Sequence, residues 1–340
     1  MFNLYTLEQI KQLNAMLLQS TGIVIVSHTN PDGDALGSSL SLCNALQNKG
    51  IESKVVIPNF FPDYYKFLPN SEKIIIASEN VLESAEAIAA SDLIISVDFN
   101  SFSRISQLEK IVRESKAKKV LIDHHVSPEE GVFDLMFSKV EISSASEYVY
   151  WILEALYGRN FLTKEIAECI YAGICTDTGS FSYSCNYTST YQALMHLMET
   201  GIDCEDLHYK IYNTFSEKRL RLLGYCLSEK MTVLPEISAA YITLSKEELA
   251  RFDYRVGDTE GVVNYTLMMS GVNVGILLVE YPERVRISFR SKNDFDVNLF
   301  AGKYFNGGGH RKASGGYTYK SLKEATVLLE KALKESLTGK

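Results

Sequence analysis

Val24-Ile25-Val26-Ser27-His28-Thr29-Asn30-Pro31-Asp32-Gly33-Asp34-Ala35-Leu36-Gly37-Ser38-Ser39 is the stretch that decides how this chain is read. A β-branched run ends in a turn carrying one imidazole and two carboxylates, and a helical pattern begins directly behind it. His28, Asp32 and Asp34 are therefore expected on one loop at the carboxyl end of a buried strand, where open α/β sheets place their ligands. Imidazole and carboxylate on one short loop are the donors of a metal site. Taken alone, Asp34 could equally be a helix N-cap.

Outward from this loop, strands and helices alternate. Leu7, Ile10, Leu13 and Leu17 recur at helical spacing behind Thr6, a suitable cap. Strands are expected at Ile23 to Ser27, Ser53 to Ile57, Lys73 to Ala77, Leu93 to Val97 and Lys119 to Ile122. Helices are expected at Asp34 to Asn48, Ser103 to Ser115, Ser144 to Tyr157, Lys164 to Thr176 and Thr188 to Glu199. Such alternation implies an α/β domain, a mainly parallel sheet with helices on both faces. Cys204 to Leu227 reads as one or two helices. Beyond it come strands at Ile237 to Thr243, Val274 to Tyr281 and Arg284 to Ser291, the last two joined by a hairpin at Pro282-Glu283. Helices near Glu260 to Met268, Val297 to Tyr304 and Leu322 to Leu337 complete a smaller mixed-sheet α/β domain. The expected division is 1–195 for the first domain, 196–230 for a helical linker and 231–340 for the second domain, with a cleft between the two domains. A chain of 340 residues accommodates this.

Composition excludes several classes. A content of 46% hydrophobic and 22% charged residues is that of an ordinary globular protein. No apolar run approaches the length of a membrane span, and Met1-Phe2-Asn3-Leu4-Tyr5 has no basic leader, so a cytoplasmic protein with no membrane partner is expected. Six scattered cysteines with no C-x-x-C pair indicate reduced thiols rather than a zinc cage or disulfide framework. A net charge of −8 argues against a protein that coats long nucleic acid. Against that background, Pro282 to Lys312 holds seven cations and three anions, which suggests a focused anion site, although composition alone favours a solvated basic face.

The opening loop has companions. Leu93 to Val97 ends in Asp98, Val120-Leu121-Ile122 ends in Asp123-His124-His125, and Gly173-Ile174-Cys175-Thr176-Asp177 places a carboxylate at a helix end. In a parallel sheet these ends converge on one edge, giving three histidines and five aspartates one cleft. Packing alone does not explain four independent segments of this kind. Carboxylates so close would repel one another, and two divalent cations are the natural compensation. Mixed imidazole and carboxylate donors suit Mn²⁺ better than the all-oxygen shell preferred by Mg²⁺.

The four segments resemble motifs I to IV of the DHH phosphoesterase superfamily, Asp123-His124-His125 being the eponymous triplet. Phe305-Asn306-Gly307-Gly308-Gly309-His310, with Arg290 ahead and Ala313-Ser314-Gly315-Gly316 behind, resembles the glycine-rich motif of the DHH-associated C-terminal domain. The two-domain layout is most similar to the bacterial nanoRNase and 3′-phosphoadenosine 5′-phosphate (pAp) phosphatase group. Two departures are the Ser314 in Ala-Ser-Gly-Gly and the missing basic residue in Phe181-Ser182-Tyr183-Ser184. Neither touches an expected metal ligand.

The resemblance implies that His28, Asp32 and Asp98 hold one divalent cation and that Asp34, Asp98, His124 and Asp177 hold a second, with Asp98 bridging. Mn²⁺ is the expected ion, with Mg²⁺ or Co²⁺ as alternatives. The implied reaction is two-metal activation of water on a phosphoester, with Asp98 catalytic and Asp123 a hydrogen-bonding partner. His125, turned away from the ligands if His124 points in, is expected to orient the scissile phosphate or assist the leaving oxygen, with a histidine that only supports the ligands as the equal alternative. The implied substrates are short single-stranded RNA or DNA oligonucleotides (dinucleotides, nanoRNA), or phosphorylated nucleotides such as pAp. A homodimer is the implied assembly. Three consecutive glycines let backbone N–H groups approach an anion, so Gly307, Gly308, Gly309, His310 and Arg290 are the expected substrate-binding group. Arg104, after Asp98, is a further candidate beside the simpler reading of an exposed helix-start arginine. Phe60, Phe61, Tyr64, Tyr65 and Phe67 could stack bases, but a core role is the simpler reading and they are assigned no function. Two alternatives stand beside the phosphoesterase: a manganese-dependent inorganic pyrophosphatase, and a non-catalytic nucleotide-binding protein.

Overall fold

Ile23–Val26 (β1) is buried at all four positions, which is what covering both faces of a parallel strand requires. The computed structural model describes residues 3–292 and 294–337; Met1-Phe2 and the outermost residues of the expected 1–195 and 231–340 domains lie outside them. The chain divides into two units, Met1–Thr214 and Phe215–Lys340.

The first unit runs α1 (Leu7–Gln19), β1, α2 (Gly33–Asn48), β2 (Ser53–Ile57), β3 (Ile75–Ile76), α3 (Val81–Ala90), β4 (Leu93–Val97), α4 (Glu109–Glu114), β5 (Lys118–Asp123), β6 (Leu135–Ser138), α5 (Ala145–Tyr157), α6 (Lys164–Asp177), α7 (Thr188–Met198) and α8 (Cys204–Tyr212). Its sheet has the order β3-β2-β1-β4-β5-β6 and is parallel throughout. The order reverses between β1 and β4, so the loops leaving those strands flank the crevice in which such sheets take ligands. Alternate strand residues face opposite ways. Ile23, Ile25, Ile95 and Ile122 share a core with Leu13 of α1, Leu36 of α2, Val149 of α5 and Ile170 of α6. Val24, Val26 and Ile94 pack with Ile88 of α3 and Val112 of α4 on the other side.

Helix α2 is buried from Gly33 to Leu46, and its serines are satisfied locally: Ser38 donates to the Asp34 carbonyl at 2.7 Å and Ser39 to that of Ala35 at 2.6 Å. Gly37 lets it cross α6 closely. A Cβ there would stand 2.5 Å from the Cys169 carbonyl oxygen and 2.9 Å from Ser146 Oγ. This crossing brings the first turn of α2 beside the last turn of α6.

Several elements differ from expectation. The helix expected at Ser103 to Ser115 is a 3₁₀ segment, Phe102–Leu108, followed by α4, with a break at Ser106 where φ is 49°. The strand expected at Lys73 to Ala77 shrinks to Ile75–Ile76 because a 3₁₀ turn occupies Ser71–Lys73. Helix α3 and the short edge strand β6 were not anticipated. Residues 196–230 divide between the units: Leu207 and Ile211 of α8 join the first core, while Leu222 and Cys226 join a core of the second.

The second unit runs α9 (Glu217–Tyr225), β7 (Met231–Leu234), β8 (Ala239–Leu244), α10 (Lys246–Arg251), α11 (Val262–Leu267), β9 (Val274–Glu280), β10 (Val285–Ser291), α12 (Val297–Tyr304), β11 (Gly308–Gly309), β12 (Ala313–Thr318) and α13 (Leu322–Leu337). Its sheet, β11-β12-β10-β9-β8-β7, is mixed: β8 and β9 are parallel and the other pairs antiparallel. Phe300 of α12 and Leu329 of α13 cover one face, and Leu249 of α10 and Val263 of α11 the other. No helix among the described residues is long and apolar enough to cross a membrane.

Because the Cys169 carbonyl is fixed backbone, no rotamer change relieves Gly37→Ala. That substitution is expected to lower the free energy of unfolding by about 1–3 kcal/mol, the usual cost of overpacking, as read by urea titration. Wild-type stability in the variant would show that α2 and α6 are free to separate.

Candidate metal centre

The turn after β1 and the exit of β4 meet at the switch point. His28 Nε2 lies 3.3 Å from Asp98 Oδ2 and 4.0 Å from Asp32 Oδ1. His28 Nδ1 is 3.0 Å from the Thr29 carbonyl oxygen, so the Nδ1–H tautomer donates there and leaves the Nε2 lone pair facing carboxylates. Two acceptors facing one another are reconciled by a proton on Nε2 or by a metal cation between them. Asp32, not Asp34, is the N-cap of α2, its Oδ1 accepting from the N–H groups of Asp34 and Ala35 at 3.0 and 3.1 Å. Asp98 occupies the left-handed region, φ 61°, its N–H bonded to the Ile122 carbonyl at 3.1 Å.

The other oxygen of Asp98 faces a second cluster. His124 Nε2 stands 3.5 Å from Asp98 Oδ1, 3.4 Å from Asp177 Oδ2 and 3.8 Å from Asp34 Oδ2. Asp34 is fixed by the start of α5, whose Ala145 and Ser146 N–H groups donate to its two oxygens at 2.7 and 2.8 Å. Asp177 closes α6. His28, Asp32 and Asp98 thus form one group of potential ligand atoms within 4.8 Å of one another, and Asp34, His124 and Asp177 form another.

The electrostatics record the crowding. Burial, reinforced by the charges of Asp98 and Asp177, pushes the Asp34 carboxyl well above the ordinary carboxylate range. Burial works against Asp98 as well, but His124 and His28 outweigh it and hold that carboxyl well below its usual value. For His124, burial is outweighed by Asp177 and Asp98, which leave the imidazole well above its ordinary value; His28 is raised in the same way, chiefly by Asp98. These donors fit a pair of divalent cations, because each imidazole nitrogen and each carboxylate would trade a competing proton or repulsion for a metal bond.

His125 adjoins the first group, its Nδ1 3.9 Å from Asp98 Oδ1. The same nitrogen is 2.7 Å from Asp123 Oδ1, a fully buried carboxylate whose Oδ2 has no hydrogen-bond partner among the described residues. Burial lowers the His125 pKa despite Asp123. Arg104 is not a plain surface residue. It is half-buried, its carbonyl accepts from the Thr29 N–H at 2.8 Å, and its charge acts on both His28 and His125.

In the second unit the three glycines before His310 differ in their surroundings. Gly308 and Gly309 form β11 against Gly315 and Ser314, and a Cβ on Gly307 would meet the Gly315 carbonyl at 2.2 Å. The N–H groups of Gly307, Gly309 and His310 are engaged by Ala301 O, Asn298 Oδ1 and Ala313 O. The run is a hairpin in which Gly307 and Gly309 have no room for a Cβ, while one on Gly308 would stand 3.5 Å from Asn298 Oδ1, an ordinary contact. It presents the His310 side chain at its turn, with Ser314 Oγ bonded to the His310 carbonyl at 2.8 Å. Arg290 of β10, paired with Ala313, keeps a buried Nε with no hydrogen-bond partner among the described residues.

Three supporting residues carried no motif. Glu147, fully buried, accepts from Ser143 N and Oγ, Thr190 Oγ1 and Trp151 Nε1, and so locks the turn of α5 that grips Asp34. Asn59 exchanges two hydrogen bonds with Asn30, at 2.7 and 3.0 Å. His208 of α8 reaches Ser180 Oγ at 2.8 Å, bringing an imidazole to the segment after Asp177 that lacks its own cation. A capping signature at Ser144 and Glu147 was the one available sequence signal.

Comparison with known proteins accords with this geometry. Residues 22–174 match the family described as DHH family, N-terminal domain, and residues 237–336 match the DHHA1 domain. A Bacillus subtilis (strain 168) protein named bifunctional oligoribonuclease and PAP phosphatase NrnA is 29% identical over 308 residues, 90% of this chain and 92% of its own. The crystal structure of an exopolyphosphatase-related protein from Bacteroides fragilis aligns with a TM-score of 0.92 at 40% identity, covering 98% of both chains. RecJ from Thermus thermophilus, in complex with Mn²⁺, shares the fold at a TM-score of 0.57 and 15% identity, over 98% of this chain and 55% of its own. With 40% identity sustained from end to end and both domains matched in order, this chain belongs to the DHH family and carries a DHHA1 domain behind its DHH domain.

Proposed function

We propose that this chain is a metal-dependent phosphoesterase that hydrolyses very short oligonucleotides to mononucleotides, removes the 3′-phosphate of pAp, or does both. The observation that carries the reading is the Asp98 carboxylate, whose two oxygens face His28 and His124 at 3.3 and 3.5 Å in two adjacent ligand groups. The names of three relatives support the substrate class: each is named, one of them as probable, a bifunctional oligoribonuclease and PAP phosphatase. His28, Asp32 and Asp98 would hold one cation, and Asp34, Asp98, His124 and Asp177 the other. When bound, such a pair supplies Lewis-acid polarisation of the phosphoryl group and an acidified water.

The protein's own groups do the rest. Asp123 holds the Nδ1 proton of His125 and stabilises the imidazolium that forms when Nε2 takes up a proton, so His125 is positioned to orient the phosphate and hand a proton to the leaving oxygen. Arg104 adds positive charge on the same side. Arg290 and the His310 side chain are the anion-binding groups of the second unit, with guanidinium geometry suited to a non-scissile phosphate. The pyrophosphatase alternative is a matter of substrate preference on the same ligands. The non-catalytic alternative has no observation in its favour, since Asp98 and His124 are both in place.

Turnover with Mn²⁺ should be measured on pAp, a dinucleotide, a ten-nucleotide RNA, a cyclic dinucleotide and pyrophosphate. Preference for the first two is expected; preference for pyrophosphate would overturn the reading. Mn²⁺ at a hundred times its dissociation constant should stabilise the wild type by about 2.7 kcal/mol by linkage. Asp98→Asn should lose both this stabilisation and activity. His125→Gln should keep the Mn²⁺-induced rise in Tm while kcat falls by about 10²–10⁴, the range for a general acid or base. A parallel loss of metal binding would instead make His125 a ligand. Because His28 and His124 are held above the ordinary imidazole value of about 6.5, protons compete with metal most strongly at low pH. Mn²⁺ affinity should therefore fall as pH is lowered from 8 towards 6, with proton release on binding, both measurable by calorimetry.

A further inference from the structure

Segment 58–70 leaves β2 at the same sheet edge as His28, and it is pinned on two sides of the switch point. Asn59 is bonded in both directions to Asn30 of the loop between His28 and Asp32, and the Pro58 carbonyl accepts from Gln107 of the 3₁₀ segment that follows Asp98. Within this segment the aromatic residues separate by burial. Phe61 and Tyr65 are core residues, 8% and 1% exposed, whereas Phe60 is 47% exposed. The buried pair anchors the segment and leaves the Phe60 ring on its surface, one residue from the Asn59 clamp. An exposed ring held there cannot be accounted for by the core.

We propose that Phe60 stacks on a nucleobase of the substrate. A planar aromatic ring is the natural partner of a base, and stacking tolerates any base because each has a π face. This assigns a base-binding position on the segment clamped to the loop between His28 and Asp32, and it rests on the nucleotide reading above. Phe60 would act through binding, as a specificity-determining residue that favours a phosphate ester bearing a base over one without.

The test is calorimetric titration of AMP and of ribose 5-phosphate into the Mn²⁺-loaded wild type, Phe60→Ala and Phe60→Trp, with no turnover required. The AMP dissociation constant is expected to rise about 5- to 100-fold in Phe60→Ala, the range for loss of one stacking contact, and to recover in Phe60→Trp. Binding of ribose 5-phosphate should be unchanged in all three. Unchanged AMP binding in Phe60→Ala would overturn the proposal, and so would equal weakening of both ligands, since that is displacement of the Asn30 loop. If the wild type binds AMP no better than ribose 5-phosphate, the stacking assignment fails while the phosphoesterase reading still stands or falls on the turnover measurements.

Discussion

Everything in the first unit is arranged around the cost of burying carboxylates side by side. Asp34, Asp98 and Asp123 are each at most 3% exposed and lie at one sheet edge, with Asp177 beside them. A buried charge without a partner is expensive, so the fold supplies a separate answer for each. Asp34 receives two backbone N–H groups from the start of α5, where the helix dipole also favours negative charge. Asp98 is flanked by His28 and His124, and Asp123 is paired with His125. The remaining repulsion, visible in the raised Asp34 carboxyl, is what two cations would neutralise.

The scaffold serves this arrangement from a distance. Helices α2 and α6 contribute Asp34 and Asp177 from their facing ends, and they approach closely because Gly37 has no side chain at their crossing. The turn that holds Asp34 is itself held by Glu147, whose four donors come from the preceding loop, its own helix and α7. The position of one carboxylate is thereby tied to three helices. Such support is needed where a sub-ångström shift would exchange attraction for repulsion.

The parallel α/β sheet and the meeting of the candidate residues at one edge were legible in the sequence because they depend on short local patterns: β-branched runs ending in Asp or His at strand exits. The parts that were not legible depend on contacts distant in sequence. Helix α2 is buried on every side, so its pattern shows no polar face, and the identity of its cap turned on backbone geometry that favoured Asp32 over Asp34. The 3₁₀ segment after Asp98 breaks at Ser106 for reasons no propensity reveals. The glycines before His310 read locally only as flexibility. The part of the run that packing sets, Gly307 against the Gly315 and Gly316 backbone, becomes apparent once β12 is in place.

Asp98 sits at a positive φ on the exit of β4, a backbone state that Asn and Gly accept with least strain among the alternatives. Asn and Gly are also reached from an aspartate codon by changing a single base. Two genetic neighbours of this residue would therefore keep the strand exit intact while removing the carboxylate that faces both His28 and His124. On the proposed function, a descendant that retains the whole architecture and has lost its chemistry would lie one mutation away, so in a lineage of this fold the residue at this position, rather than the fold, would be the record of whether the enzyme is still an enzyme.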